Sequence, residues 1–134
     1  MDSDKGREVW LSLGSNVANG DEKIRMAAVR LSESFRDFQL SSVYRTANIK
    51  NADEFYFNAV ALFHTNCDLG SLNRDMKELE SALGRIRDEK GRGEVTMDID
   101  VVIYDGKIIR EKDFRQDYFQ IGYKEIARGI ESRE

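Results

Sequence analysis

The sequence has 134 residues, 40% hydrophobic and 34% charged, enough to bury the core of one domain. A formal net charge of −4, with both signs mixed along the chain, argues against a protein built to coat nucleic acid. One cysteine, no apolar signal-peptide core and no run of about 20 apolar residues lead us to expect a cytoplasmic protein with no membrane or nucleic-acid partner.

The first half of the chain predicts the order strand, helix, strand, strand. Strand-like hydrophobic patterns lie at residues 8–13, 37–46 and 56–66, and a mostly polar loop at 47–55 separates the last two. Asn19 or Asp21 can cap the helix between the first two strands. That helix is predicted by apolar residues at helical spacing, namely Ile24, Ala27, Ala28, Leu31 and Phe35.

The second half adds one helix and one long strand. A second helix, closed by Gly84, is predicted by Leu72, Met76, Leu79 and Leu83. A charged loop at 85–94 leads into a strand at 95–104, and Asp105-Gly106 is a tight-turn signal into a short strand at 107–110. The tail after this strand is predicted to hold one short helix.

The order of these elements is strand, helix, strand, strand, helix, strand. It predicts a single α+β domain over residues 1–134, a ferredoxin-like βαββαβ sandwich with both helices on one face of an antiparallel sheet. Enzymes, RNA-binding modules and regulatory domains share this fold, so the fold alone does not decide the function.

Asp98 and Asp100 enter the strand at 95–104 two residues apart. Side chains of a strand alternate between its faces, so both carboxylates are predicted to point the same way. Two like charges on one face are unfavourable unless something offsets them. Mg²⁺ prefers oxygen ligands and commonly takes one or two carboxylates plus substrate phosphates. The alternative is a solvated sheet edge that carries spare charge.

The loop before this strand is rich in cations. Arg85, Arg87, Lys90 and Arg92 lie within eight residues, and Gly91 and Gly93 allow the loop to move as a lid over a nucleotide. The acidic residues among them leave an ordinary exposed loop as the alternative. The cations next to an acid pair together favour phosphoryl transfer, which relies on positioning and charge neutralisation. No P-loop of the GxxxxGK[ST] type occurs.

Tyr56 and Asn58 share one face of the strand at 56–66. An aromatic plane beside an amide can stack on a flat heterocycle and hydrogen-bond to its edge. An ordinary cross-strand aromatic contact is an equally good interpretation of this pair.

The sequence resembles the 6-hydroxymethyl-7,8-dihydropterin pyrophosphokinase family of folate biosynthesis over about three quarters of its length. The matching pieces are "LSLGSN" (11–16), "SSVYRT" (41–46), "FYFNAVAL" (55–62), "ELESALGRIR" (78–87) and "TMDIDVVIYDG" (96–106). The last piece is the most specific, because it resembles the family signature R-T-L-D-L-D-I. The fold of this family is also ferredoxin-like.

The resemblance implies a role for individual residues. It makes Asp98 and Asp100 the ligands of two Mg²⁺ ions that bridge the phosphates of ATP, and Arg85 a further catalytic residue. Arg92 stands where the family has a tryptophan, and we expect it to supply substitute catalytic charge. The pterin-binding residues that it implies are Thr46, Tyr56, Asn58 and Tyr118. Those that it implies for ATP are Glu80, Arg85, Arg87, Val101 and Arg115. The implied protein is a monomer that transfers the β,γ-pyrophosphate of ATP to the hydroxymethyl group of the pterin and releases AMP.

Two other functions stay open because the sequence departs from the family pattern. Val95 stands at the signature arginine, Gln116 stands at another arginine, and the tail has no histidine. A protein that binds a pterin or a nucleotide without turnover would fit these changes. A ferredoxin-like regulatory or interaction module is the second alternative.

Overall fold

The computed structural model describes residues 6–47, 54–84 and 97–133. The strands of the sheet are β1 (Arg7–Ser15), β2 (Arg36–Leu40), β3 (Tyr44–Ala47), β4 (Phe55–Thr65), β5 (Asp98–Tyr104) and β6 (Lys107–Ile108). The helices are α1 (Gly20–Ser34), α2 (Leu69–Ala82), α3 (Glu111–Phe114) and α4 (Asp117–Arg133). No helix within these ranges is both long and apolar enough to cross a membrane.

All strands pair antiparallel in one sheet with the order β2-β4-β1-β5-β6, and β3 pairs with β4. The two longest strands, β1 and β4, lie next to each other in the sheet, and β5 flanks β1 on its other side. The predicted order of strands and helices up to residue 104 is confirmed, apart from the division of one strand described below. The α+β fold with a ferredoxin-like arrangement is confirmed as well.

The first face of the sheet packs against α1 and α2. Buried residues of β1, β4 and β5 contact the apolar side of both helices, which the helical spacing in the sequence predicted correctly. The main members of this core are Val9, Leu11, Leu13, Ile24, Leu31, Phe63, Leu72, Met76 and Ile99. Asp68 begins α2, because its carboxylate accepts a hydrogen bond of 2.8 Å from the backbone N–H of Ser71.

The second face of the sheet is covered by α4. Trp10, Val60, Leu62 and Val102 of the sheet pack here against Phe119 and its helical neighbours. The prediction of one short helix in the tail was wrong, because the tail forms two helices and α4 has 17 residues. Helix α4 is this long because apolar residues at helical spacing along it pack against the sheet, namely Phe119, Tyr123, Ile126 and Ile130.

The strand predicted at 37–46 is two strands in the structure, because the chain leaves the sheet between β2 and β3. Both strands pair with the same long strand, β4. Ser41 makes the break, since its backbone N–H donates to the carbonyl of Val60 and its Oγ accepts from the N–H of Val60, each at 2.9 Å. Glu125 of α4 then accepts from the N–H and the hydroxyl of Ser42 at 2.8 and 2.6 Å.

A β-bulge in β5 sets which side chains face α4. Trp10 pairs with Ile103, whereas the next residue, Leu11, pairs with Val101, so Val102 is the extra residue. The bulge separates the apolar end of β5 from the end that carries the aspartates. Beyond it, Asp105 and Gly106 both have positive φ angles, and this confirms the predicted tight turn into β6.

Candidate active site

A row of four residues crosses the sheet on the face that α4 covers only in part. Tyr44 of β3 pairs with Asn58 of β4, Asn58 pairs with Gly14 of β1, and Gly14 pairs with Asp98 of β5. Two strand spacings separate Asn58 from Asp98, about 10 Å. Asn58, a predicted pterin-binding residue, and Asp98, a predicted metal ligand, therefore lie on the two sides of Gly14.

Gly14 keeps the middle of this row open. A Cβ atom at this position would lie 3.3 Å from Nδ2 of Asn58, closer than an ordinary van der Waals contact. A side chain here would therefore displace the Asn58 amide and occupy the space above Gly14, between Asn58 and Asp98. The piece "LSLGSN" resembled the family, but no role for its glycine was predicted from the sequence.

Asp98 and Asp100 carry their carboxylates on the same face of β5, as strand alternation predicted, and Ile99 between them enters the opposite core. The two side chains are hydrogen-bonded to each other. Burial and the charge of Asp98 raise the pKa of Asp100 to about 6, and nearby Arg110 and Lys77 act in the opposite direction. Below about pH 6, Asp100 therefore carries less negative charge than an exposed carboxylate would.

Two cations contact the acid pair, and neither was predicted as a site residue. Nζ of Lys77, on α2, lies 3.8 Å from Oδ1 of Asp100, and Nη1 of Arg110, after β6, lies 3.9 Å from the same oxygen. Arg115 was the cation predicted in this segment. Its guanidinium instead donates to Glu111 at 2.7 Å and is 72% exposed.

Glu80 holds the strand that carries the aspartates. Only 2% of this residue is exposed, and its Oε2 accepts a hydrogen bond of 2.7 Å from the backbone N–H of Ile99. Lys77 lies 3.3 Å from the same oxygen and offsets the buried charge. The resemblance implied a role for Glu80 on the ATP side, and its contacts place it directly behind the acid pair.

The other half of the site is built by β3 and β4. The hydroxyl of Thr46 donates to Oδ1 of Asn58 at 2.5 Å, so these two predicted residues act as a unit. Burial, followed by the charges of Asp98 and Glu54, raises the pKa of Tyr56. The electrostatic effect of Asp98 on this hydroxyl links the two halves of the site.

Tyr118 joins the site from α4. Its hydroxyl donates to Oδ1 of Asp113, and Oδ2 of Asp113 accepts from Nε of Arg110 at 2.5 Å. Burial and the Asp113 hydrogen bond both raise the pKa of Tyr118. Its carbonyl accepts a hydrogen bond of 2.6 Å from Tyr44, so the helix is tied to β3 at this point.

Of the remaining predicted residues, the structure describes Val101, and its side chain does not join this cluster. The side chain of Val101 is buried in the core on the opposite face of β5, so only its backbone can contribute to a nucleotide site. Arg85, Arg87 and Arg92 lie outside the described residues, as does Val95. Their assignments stay predictions.

The oxygen donors of this site fit Mg²⁺, which prefers hard ligands. Asp98 and Asp100 supply carboxylate oxygens on a rigid strand. In the part of the chain that the structure describes, no group of three or more His, Cys, Asp or Glu side chains is close enough to hold a metal. A metal ion held by the two aspartates would therefore need ligand oxygens and water to complete its coordination.

Comparisons with known proteins agree with the resemblance. Residues 10–128 match the profile of the family described as 7,8-dihydro-6-hydroxymethylpterin-pyrophosphokinase (HPPK). The chain is 26% identical over 121 residues to the 2-amino-4-hydroxy-6-hydroxymethyldihydropteridine pyrophosphokinase of Haemophilus influenzae, over 88% of this chain and 75% of that protein.

Two longer proteins are also similar. The folate synthesis bifunctional protein of Chlamydia trachomatis is 34% identical over 103 residues, covering 72% of this chain and 23% of that protein. The folic acid synthesis protein fol1 of Schizosaccharomyces pombe is 29% identical over 107 residues, covering 78% and 14%. The chain thus corresponds to less than a quarter of either of these two relatives. Since the family profile matches nearly its whole length, the chain belongs to the 7,8-dihydro-6-hydroxymethylpterin-pyrophosphokinase family.

Proposed function

We propose that this protein transfers the β,γ-diphosphate of ATP to the hydroxymethyl group of 6-hydroxymethyl-7,8-dihydropterin and releases AMP. The observation that carries the proposal is the cross-strand row, in which a side chain suited to a heterocycle and a carboxylate suited to a metal flank Gly14. Family membership supplies the substrates, since the Haemophilus influenzae relative is named as a pyrophosphokinase of this pterin.

The pterin-binding half consists of Thr46, Tyr56, Asn58 and Tyr118 in this proposal. Asn58 is nearly fully buried and keeps its amide fixed through Thr46, so this amide can recognise the edge of a flat ring at low entropic cost. Tyr56 and Tyr118 provide ring surfaces for stacking. Tyr118 is fixed by its hydrogen bond to Asp113.

Asp98 and Asp100 would hold two Mg²⁺ ions together with the phosphates of ATP. Bound there, Mg²⁺ would supply positive charge that stabilises the developing negative charge on the transferred group. Glu80 keeps the strand in place through the N–H of Ile99, which lies between the two ligands. The chain thus provides a rigid platform rather than a nucleophile.

The reaction needs no covalent intermediate on the protein. The hydroxymethyl oxygen of the pterin forms a bond to the β-phosphorus, and the bond between the β-phosphorus and the oxygen that bridges it to the α-phosphorus breaks. AMP leaves with that oxygen, and the proton of the hydroxymethyl group goes to water. The residues of the site would align the oxygen with the β-phosphorus.

The experiment combines the protein with Mg²⁺, ATP and 6-hydroxymethyl-7,8-dihydropterin and measures AMP by chromatography. We expect AMP from the wild-type protein and none above background from Asp98→Ala. Asp75→Asn, an exposed carboxylate on α2, is the matched control and should keep full activity. Absence of AMP despite calorimetric binding of ATP or the pterin would contradict the proposal and favour a binding protein without turnover.

The roles of Arg85, Arg87 and Arg92 as cations on the ATP side, and of Arg115 and the Val101 backbone as ATP contacts, are part of the same proposal. The cytoplasmic location, the monomeric state, the single domain over residues 1–134 and the number of metal ions stay predictions.

A further inference from the structure

Lys77 and Arg110 approach the same oxygen atom. Nζ of Lys77 and Nη1 of Arg110 lie 3.8 and 3.9 Å from Oδ1 of Asp100, and the two residues come from different parts of the fold. Two positive charges therefore flank an oxygen that we propose as a metal ligand.

Both cations are half exposed, although the carboxylate that they share is not. Lys77 and Arg110 are 59% and 49% exposed, whereas the side chain of Asp100 is 18% exposed. Their charged ends therefore lie at the rim of the acid pair, where an incoming polyanion would meet them. Asp113 holds Arg110 in place through Nε, which leaves other guanidinium N–H groups for further partners.

Cations at this distance should have opposite effects on the affinity for a bare metal ion and on the affinity for a nucleotide. A free divalent cation must bind next to two like charges, so they lower its affinity. A nucleotide carrying phosphates gains attractive contacts from the same cations. A bare metal ion and a phosphate-bound metal ion thus differ in how they respond to Lys77 and Arg110.

We propose that Lys77 and Arg110 are resident counter-ions of the acid pair that make metal binding depend on the nucleotide. Without nucleotide they neutralise Asp100 and disfavour a bare ion. When a metal–nucleotide complex enters, they exchange the carboxylate for phosphate oxygens as partners, and the carboxylates become ligands of the metal. This inference rests on the proposed function, since it takes the nucleotide to be the phosphate donor.

Lys77 is the better residue to test, because Arg110 also supports Asp113 and Tyr118. A purely structural role for Lys77, in which it only stabilises Glu80 and the sheet, makes a different prediction. Loss of structural support would weaken both ligands together. Counter-ion exchange predicts effects of opposite sign on the bare ion and on the nucleotide.

The experiment titrates Mn²⁺, as a probe for Mg²⁺, into the whole protein and follows bound Mn²⁺ by electron paramagnetic resonance. A second titration adds the α,β-methylene analogue of ATP at saturating Mg²⁺, followed by calorimetry, because this analogue cannot release AMP. The variants are Lys77→Gln, Lys77→Arg, which keeps the charge, and Arg74→Gln. Arg74 is an exposed cation one turn away on α2 that contacts Ser71, so its variant controls for net charge.

We expect Lys77→Gln to bind bare Mn²⁺ about three- to tenfold more tightly than wild type and the nucleotide analogue about three- to tenfold more weakly. Lys77→Arg and Arg74→Gln should stay within about twofold of wild type for both ligands. Equal or weaker Mn²⁺ binding by Lys77→Gln would overturn the inference, even if the wild-type protein binds the analogue and releases AMP from ATP. Failure of the wild-type protein to bind the analogue would overturn the proposed function and this inference with it.

Discussion

Replacing Asp100 by asparagine should stabilise the metal-free protein while it abolishes AMP release. The carboxylate of Asp100 is mostly buried and lies beside Asp98, so ionising it in the folded state is unfavourable. Asparagine keeps the shape of the side chain and can donate a hydrogen bond to Asp98 as the protonated acid does. Activity should be lost because the amide cannot replace a charged metal ligand.

The size of the effect follows from the pKa of Asp100. Burial and Asp98 raise this pKa from 3.8 to about 6, and each pH unit of difference between the folded and unfolded states corresponds to about 1.4 kcal/mol. The ceiling is therefore about 3 kcal/mol. Partial solvent contact reduces it, so we expect Asp100→Asn to raise the free energy of unfolding by about 1–2 kcal/mol at pH 8.

The stability gained by Asp100→Asn should increase as the pH rises. The folded wild-type protein keeps the proton of Asp100 up to about pH 6, whereas the unfolded chain releases it near pH 4. Between these values the folded state binds more protons, so wild-type stability falls as the pH rises. Asparagine does not titrate. The advantage of the variant should be absent at pH 3.5, grow between pH 4 and 6, and stay constant above pH 7.

Urea denaturation in EDTA at pH 3.5, 5 and 8, followed by circular dichroism, measures this difference. Asp75→Asn removes a carboxylate from an exposed position of α2 and should change the free energy of unfolding by less than about 0.5 kcal/mol at each pH. The reasoning would be refuted if Asp100→Asn is no more stable than wild type at pH 8, or if its stability rises by the same amount at all three pH values. Ionised Asp100 would then not destabilise the folded protein.

Three further substitutions test other parts of the structure. Gly14→Ala should weaken pterin binding at least about fivefold in calorimetry, because its Cβ would lie 3.3 Å from the Asn58 amide; unchanged affinity would show that the space above Gly14 need not be open. Glu80→Ala should lower the free energy of unfolding by about 2–3 kcal/mol, since it leaves the buried N–H of Ile99 without this acceptor, and a loss below 1 kcal/mol would contradict that role. Phe119→Ala should cost about 3–5 kcal/mol in urea denaturation, and a cost below 1 kcal/mol would mean that α4 does not complete the second core.

The sequence predicted best the elements whose signals are local. The apolar spacing in α1 and α2 is regular because both helices bury one stripe against the sheet, and the alternation in β5 correctly placed Asp98 and Asp100 on one face. The break between β2 and β3 was missed because it depends on Ser41 bonding to a strand 19 residues away. No local pattern distinguishes such a serine from one that continues a strand.

The two cations beside the acid pair, Lys77 and Arg110, were not predicted from the sequence. Lys77 reaches Asp100 because α2 packs against β5, and Arg110 reaches it because the bulge and the Asp105-Gly106 turn bring the chain back beside the acid pair. Neither contact follows from spacing along the chain. The only local indication of this role was that Lys77 lies three residues before Glu80 on one helix face. The sequence did not show that Glu80 is buried.

The carboxylate of Glu80 has a second consequence, which concerns self-association. Among the described strands, β6 pairs with the outer edge of β5 only at Ile103 and Tyr104, and none of them pairs with this edge at Ile99. An open edge of this kind invites strand addition by another molecule. A buried charge bonded to the N–H of Ile99 blocks that pairing, as do the aspartates beside it. Variants that lose Glu80 are therefore expected to aggregate more readily than the wild-type protein.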